Sequence, residues 1–242
     1  MATMTVEQLV SQLRAAYGER LRSVVLYGSA ASAEHVAKKS DYNVLVLLDR
    51  IENGALAAAS AVARAWRESG NPPPMTMTMA EWRSSADVFP MEYSDILERN
   101  RVLFGDPPFE GITISRSMLR LQLESQVMGK LLRLRQGALL AGNEAKEQIN
   151  LMAASFTTIM VLFRGALRLH GELATADNAS TAERVAQIAG FDAAPFVRAA
   201  GHHRGIAEIP TADAGATLAG YLTGVERLDA HIDAFPTHDS VQ

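Results

Sequence analysis

Two apolar runs joined by a short polar loop constrain this chain most. Val24-Val25-Leu26-Tyr27-Gly28-Ser29 is followed by eleven residues and then by Asp41-Tyr42-Asn43-Val44-Leu45-Val46-Leu47-Leu48. The first run is β-branched and stops at a glycine, and the second opens with a carboxylate. That pattern predicts a strand, a tight turn, a short connection and a second strand with Asp41 at its entrance. The chemistry suits a nucleoside triphosphate. A glycine without Cβ lets backbone N–H groups approach phosphate oxygens, the Ser29 hydroxyl adds a donor, and Asp41 can hold a metal ion from the other side. The same spacing also fits an ordinary strand–helix–strand turn in which Ser29 caps a helix and Asp41 is solvated.

The spacing resembles the signature of the nucleotidyltransferase superfamily with the DNA polymerase β-like fold. That signature is an apolar residue, Gly, Gly or Ser, about ten residues, then Asp, an apolar residue and a second acid. Tyr27-Gly28-Ser29 and Asp41-Tyr42-Asn43-Val44 fit it, except that Asn43 stands where the family has its second acid. The resemblance implies an α/β (α+β) domain with a small mixed sheet, Mg²⁺ as cofactor and a nucleoside triphosphate as ligand. Nucleotide binding would fall to Gly28, Ser29, Asp41 and Asn43, metal binding to Asp41 and Asn43, and chemistry to Asp41. The family's third strand normally supplies a third acid. Met75-Thr76-Met77-Thr78-Met79, which alternates as a strand should, offers only Met and Thr at those positions.

Further on, Asp87-Val88-Phe89-Pro90-Met91-Glu92-Tyr93 and Arg101-Val102-Leu103-Phe104-Gly105-Asp106-Pro107-Pro108 resemble the corresponding segments of streptomycin/spectinomycin-type aminoglycoside adenylyltransferases. In that layout a helical bundle follows the α/β domain. Asp106-Pro107-Pro108 makes a stiff boundary, giving an α/β domain over residues 1–110 and an all-α bundle over 111–242. The ligand cleft is expected between the two.

Local signals fill in the elements. Thr5-Val6-Glu7-Gln8 is a capping box that opens a helix closed by Gly18. An alanine-rich helix is expected from Ala55 to Glu68, ended by Gly70-Asn71-Pro72-Pro73-Pro74. Ser115 can cap a long helix bearing Leu119, Leu123, Val127, Leu131 and Leu134, loosened at its end by Gly137 and Gly142. A second carries Ile149, Met152, Phe156, Ile159, Phe163 and Leu167 on one stripe and stops at His170-Gly171. Shorter helices are expected at 181–189, 194–203 and 211–234, with a frayed tail from Pro236.

Composition narrows the classes of partner. At 242 residues, 48% apolar, the chain is long and apolar enough for a packed core. A net charge of −4 with no basic run argues against a nucleic-acid partner. The absence of cysteine excludes disulfides and thiolate sites. No basic-then-apolar leader opens the chain, and the apolar stretch 149–163 is interrupted by polar residues, so a cytoplasmic protein without a membrane partner is expected. The long apolar helix could serve a homodimer as well as a core.

Transfer of a nucleotide ordinarily uses two Mg²⁺ ions held by charged carboxylates. Asp41 supplies one such group, and Asn43 only a neutral amide oxygen. The expectation is therefore a degenerate nucleotidyltransferase-fold protein that binds a nucleotide or a partner with weak or no transfer. The alternative is an active enzyme that moves a nucleoside monophosphate to a small hydroxylated acceptor, completing its set with an acid brought in by folding: Glu92, Asp95 or Glu81, in that order. A third expectation comes from Arg164 and His170. Their spacing resembles the Arg-x(4–6)-His motif of HEPN ribonucleases, where Arg and His could act as phosphate clamp and acid/base. His202-His203 reads as a solvated turn, Met75, Met77 and Met79 as core filling, and Lys38-Lys39 as either solvated or facing a triphosphate.

Overall fold

The computed structural model describes residues 4–31, 41–52, 54–173 and 177–236, with the side chain of Ser29 outside the described set. Lys38 and Lys39 fall outside it as well. The chain forms two compact units, Met1–Ile114 and Ser115–Gln242.

The first unit is built on four strands: β1 (Leu21–Tyr27), β2 (Asn43–Leu48), β3 (Met75–Thr78) and β4 (Asn100–Gly105). Their order in the sheet is β3-β2-β1-β4. β1 runs antiparallel to β2 and β4, while β2 and β3 are parallel, so the sheet is mixed. β1 and β2 are apolar on both faces because helices cover both sides. Val24, Leu26, Val44, Val46 and Leu48 face α1 (Val6–Tyr17), α2 (Ala55–Ala58) and α3 (Ser60–Glu68), meeting Leu9, Leu13, Tyr17 and Trp66. Val25, Leu45 and Leu47 point the other way, against Trp82 of α4 (Met79–Ser84) and Tyr93 and Ile96 of α5 (Pro90–Glu98).

Local chemistry accounts for most boundaries. Thr5 accepts from the Gln8 amide and Gln8 reaches back to the Thr5 amide, the capping box read in the sequence, and Gly18 ends α1 with φ +56°. The expected 55–68 helix is interrupted, since Ala59 leaves helical geometry (φ −92°, ψ 1°) and divides it into α2 and α3. The third strand stops one residue early. Thr78 is instead the N-cap of α4 in a capping box with Glu81, which makes Met79 helical. Met75, Met77 and Met79 nonetheless all pack on the α4/α5 side of the sheet, as core filling requires. At the edge, Gly105 has φ +78°, and a Cβ there would collide with the carbonyl oxygen of Arg22, so only glycine allows β4 its close approach to β1.

The second unit is all-helical: α6 (Arg116–Ala141), α7 (Ala145–Leu169), α8 (Asn178–Ala189), α9 (Ala194–His203) and α10 (Ala214–Asp233). Ser115 caps α6 through the Met118 amide, and Gly142 ends it at φ +50°. Gly137 does not loosen that end. A Cβ there would run into the Leu151 side chain, so the glycine is where α6 and α7 press together.

α7 is the central helix of the bundle, with Met152, Phe156, Ile159, Phe163 and Leu167 buried. At 25 residues it is longer than the 149–163 stretch read from sequence, and by length and composition it would suffice to cross a bilayer. Here it packs against α6, α8, α9 and α10 instead. Phe163, Phe191, Phe196 and Tyr221 form an aromatic cluster on it, with centroids 4.5–5.8 Å apart. His202 and His203 end α9 rather than occupying a free turn, and the His203 ring lies 5.1 Å from that of Phe156.

Candidate functional site

The Gly28 turn lies at one end of the sheet. β1 ends there, β2 begins opposite it, and β4 begins on the other side: Tyr27 pairs with both Asn43 and Asn100. Gly28 is buried and holds φ +76°, a conformation that L residues with a Cβ rarely adopt. Its N–H donates to the carbonyl of Arg99 at 3.0 Å. That amide is therefore engaged within the protein. What Gly28 contributes is the backbone turn itself.

The entry to β2 is fixed from another direction. Asn71, buried after the end of α3, accepts the Tyr42 N–H through Oδ1 at 3.1 Å, and the Tyr42 ring leans on Trp66 with centroids 6.0 Å apart. Asp41 precedes this anchor and is exposed at the strand's entrance, while Asn43 is the first residue of β2. Sequence reasoning used Asn71 only as a helix stop. Nothing local marks a buried asparagine between glycine and prolines as the anchor of a strand entry 29 residues earlier.

The same end of the sheet receives α5. An ideal Cβ at Gly28 would stand 3.5 Å from Nδ2 of Asn43 and 3.7 Å from Oδ2 of Asp95, so the amide and the carboxylate converge on the turn. Burial pushes the Tyr27 hydroxyl's pKa up, and the negative charges of Asp95 and then Glu92 push it further in the same direction. Glu81 is elsewhere. Its carboxylate accepts the Thr78 N–H at 2.7 Å, and Thr78 pairs with Leu48, the far end of β2 from Asn43. The three acids that the sequence offered, Glu92, Asp95 and Glu81, are therefore not equally placed. Glu81 belongs to a helix cap at the opposite sheet end, and Asp95 is the acid beside Gly28.

The third-strand position is also defined. Met75 pairs in parallel with Leu45, two residues beyond Asn43, and both lie on the α4/α5 face with Asn43's own side of the strand. A methionine therefore occupies the place on β3 nearest that face of the site. Among the described residues, no three His, Asp or Glu side chains are grouped to hold a metal ion. The concave surface lined by Arg22, Ser23, Asp49, Arg83 and Pro107 borders the other end of the sheet, where β1 begins and β2 ends.

In the helical unit, Arg164 and His170 engage different neighbours. The Arg164 guanidinium donates to Oδ1 of Asn178 at 2.6 Å, at the start of α8. His170 places its Nε2 2.9 Å from Nε2 of His231 on α10, with the rings stacked and Phe235 edge-on.

No family model matches the chain, and no curated protein matches it by sequence. Solved structures do match. One is the crystal structure of spectinomycin adenyltransferase AAD(9) from Enterococcus faecialis with ATP and spectinomycin. It covers 95% of this chain and 100% of its own length, with a TM-score of 0.57 and 10% sequence identity. At that identity the likeness is one of fold. The chain shares the fold of that adenyltransferase, a small mixed α/β sheet unit followed by a helical region.

Proposed function

We propose that the α/β unit binds a nucleoside triphosphate at the Gly28–Ser29 turn, with Asp41 and Asn43 beside it, and carries out little or no nucleotidyl transfer. The observation that carries this reading is the convergence of the left-handed Gly28 turn with the entry of β2, in a fold shared with an adenyltransferase crystallised with ATP. The donor set supports one Mg²⁺ rather than two. Mg²⁺ keeps several waters and needs one or two carboxylates plus the phosphates themselves, which Asp41 and a second acid can meet. A second ion, the one that would activate an attacking hydroxyl, needs acids where this chain has Asn43 and Met75. Bound Mg²⁺ would neutralise the triphosphate. The chain's own residues would fix the turn, admit the phosphates and leave the acceptor hydroxyl unactivated.

The test is a thermal-shift panel of ATP, GTP, CTP and UTP, each with and without Mg²⁺, on wild type and Asp41→Ala. Saturable stabilisation by at least one triphosphate, weakened in Asp41→Ala, is the expected result. No stabilisation by any of them removes the nucleotide reading.

A further inference from the structure

We infer that Asp95 of α5 supplies the carboxylate that Asn43 lacks, so that the cation-holding pair of this site is Asp41 and Asp95 rather than two acids on β2. The inference rests on the nucleotide-binding reading and adds a residue from a different element to it.

The backbone ties Asp95 to the turn. Gly28 donates its N–H to the Arg99 carbonyl at 3.0 Å, and Arg99 donates its own N–H to the Asp95 carbonyl at 3.0 Å. Two consecutive hydrogen bonds thus run from the glycine of the turn to the helix residue that bears the acid. Asn100 steadies the same helix end, its Nδ2 donating to the carbonyls of Ile96 and Leu97. From the other side α5 is anchored by Tyr93, which stacks on Trp82 at 4.1 Å and donates its hydroxyl to the Trp82 carbonyl at 2.8 Å. Asp95 is therefore placed by rigid elements, as a ligating residue must be.

The alternatives fall away on position. Glu81 is bound up in its cap at the opposite sheet end. Glu92 is exposed and one helical turn further from the Gly28 contact, whereas Asp95 is half-buried and meets it. The exchange of residue types is also coherent. Two carboxylates this close would repel each other without a cation, and the neutral Asn43 amide removes that repulsion while leaving one full charge beside the turn. The charge has been moved from strand to helix rather than lost.

The experiment measures ATP affinity by calorimetry, with and without Mg²⁺, for wild type, Asp95→Asn, Glu92→Gln and the exchange variant Asn43→Asp/Asp95→Asn. Mn²⁺ binding in the presence of ATP, followed by electron paramagnetic resonance, reads the cation directly. Asp95→Asn is isosteric, and its melting temperature without ligand checks the fold. The expected result is that Mg²⁺ tightens ATP binding in wild type and Glu92→Gln, that Asp95→Asn loses roughly ten-fold or more of that gain, and that the exchange variant recovers it. Affinity for ATP without Mg²⁺ should be unchanged or improved in Asp95→Asn, since a negative charge has been removed. Full retention of the Mg²⁺ gain and of the Mn²⁺ signal in Asp95→Asn overturns the inference and leaves nucleotide binding standing. ATP binding by wild type that ignores Mg²⁺ does the same. Failure of wild type to bind ATP under either condition overturns both.

Discussion

Asn43→Asp would restore the acid that the family resemblance leads one to expect, and the structure predicts that it destabilises the empty protein. Nδ2 of Asn43 and Oδ2 of Asp95 each lie within 3.7 Å of one point, the ideal Cβ position of Gly28, so they are no more than about 7 Å apart. Two carboxylates at that separation repel by about 0.6 kcal/mol in a water-like dielectric and about 2 kcal/mol at an effective dielectric near 20. Both residues are half-buried, which favours the upper part of that range. For a unit of this size, a loss of about 1–2 kcal/mol lowers the melting temperature by roughly 5–10 °C. Repulsion raises the introduced carboxyl's pKa above its unfolded value, so the deficit should be full near neutral pH and shrink as pH falls through the carboxylate range. Differential scanning calorimetry without ligand, at neutral and mildly acidic pH, measures it. The deficit should vanish in an Asp95→Asn background, and Mg²⁺ with ATP should stabilise Asn43→Asp more than wild type. If Asn43→Asp melts with wild type, or loses as much in the Asp95→Asn background, then Asp95 does not face position 43 as described.

Other perturbations test the frame around the site. Gly105→Ala forces a Cβ onto the Arg22 carbonyl at a left-handed φ and should cost about 3 kcal/mol or more by urea denaturation, because both strands must move. Trp82→Phe removes the Nε1–H bond to the Pro108 carbonyl, 2.7 Å long, and part of a buried ring, for a loss of about 2–3 kcal/mol in the same assay. Burial holds the pKa values of His170 and His231 below the ordinary value of 6.5; for His170 the neighbouring His231, Arg184 and Arg116 add to this against the opposing pull of Glu172. The unfolded chain then binds more protons, so stability contributed by this pair is present at neutral pH and is lost as pH falls through and below 6.5. Thermal unfolding at pH 7.5 and pH 5.5 should show about the expected direction, a smaller acid loss in His170→Gln than in wild type; equal losses refute it.

Much of the fold could be read locally because its boundaries are local events. The Thr5 capping box, the Gly18 and Gly142 helix ends and the β-branched runs of β1 and β2 each act within a few residues. The misreadings arose where a more distant or competing interaction decides. Met79 fits the alternation of a strand, but the Thr78–Glu81 cap claims it for α4. Gly137 reads as a helix breaker until Leu151 of the next helix is seen against it. At the site, the strand–turn–strand core was visible in Gly28, Asp41 and Asn43. The anchor Asn71 was not, because it reaches the site only through tertiary pairing. Asp95 was one of three acids consistent with the sequence, and the Gly28–Arg99–Asp95 backbone path is what separates it from the others.

The most direct test of nucleotide binding at this turn is an amide chemical-shift titration of the wild-type protein with ATP and Mg²⁺. The account predicts saturable shifts concentrated at residues 27–31, 42–43 and 95–100, with the opposite sheet end, residues 21–23 and 104–108, nearly unmoved. Shifts centred instead on that opposite end, or no saturable shift at any concentration of ATP, would contradict it.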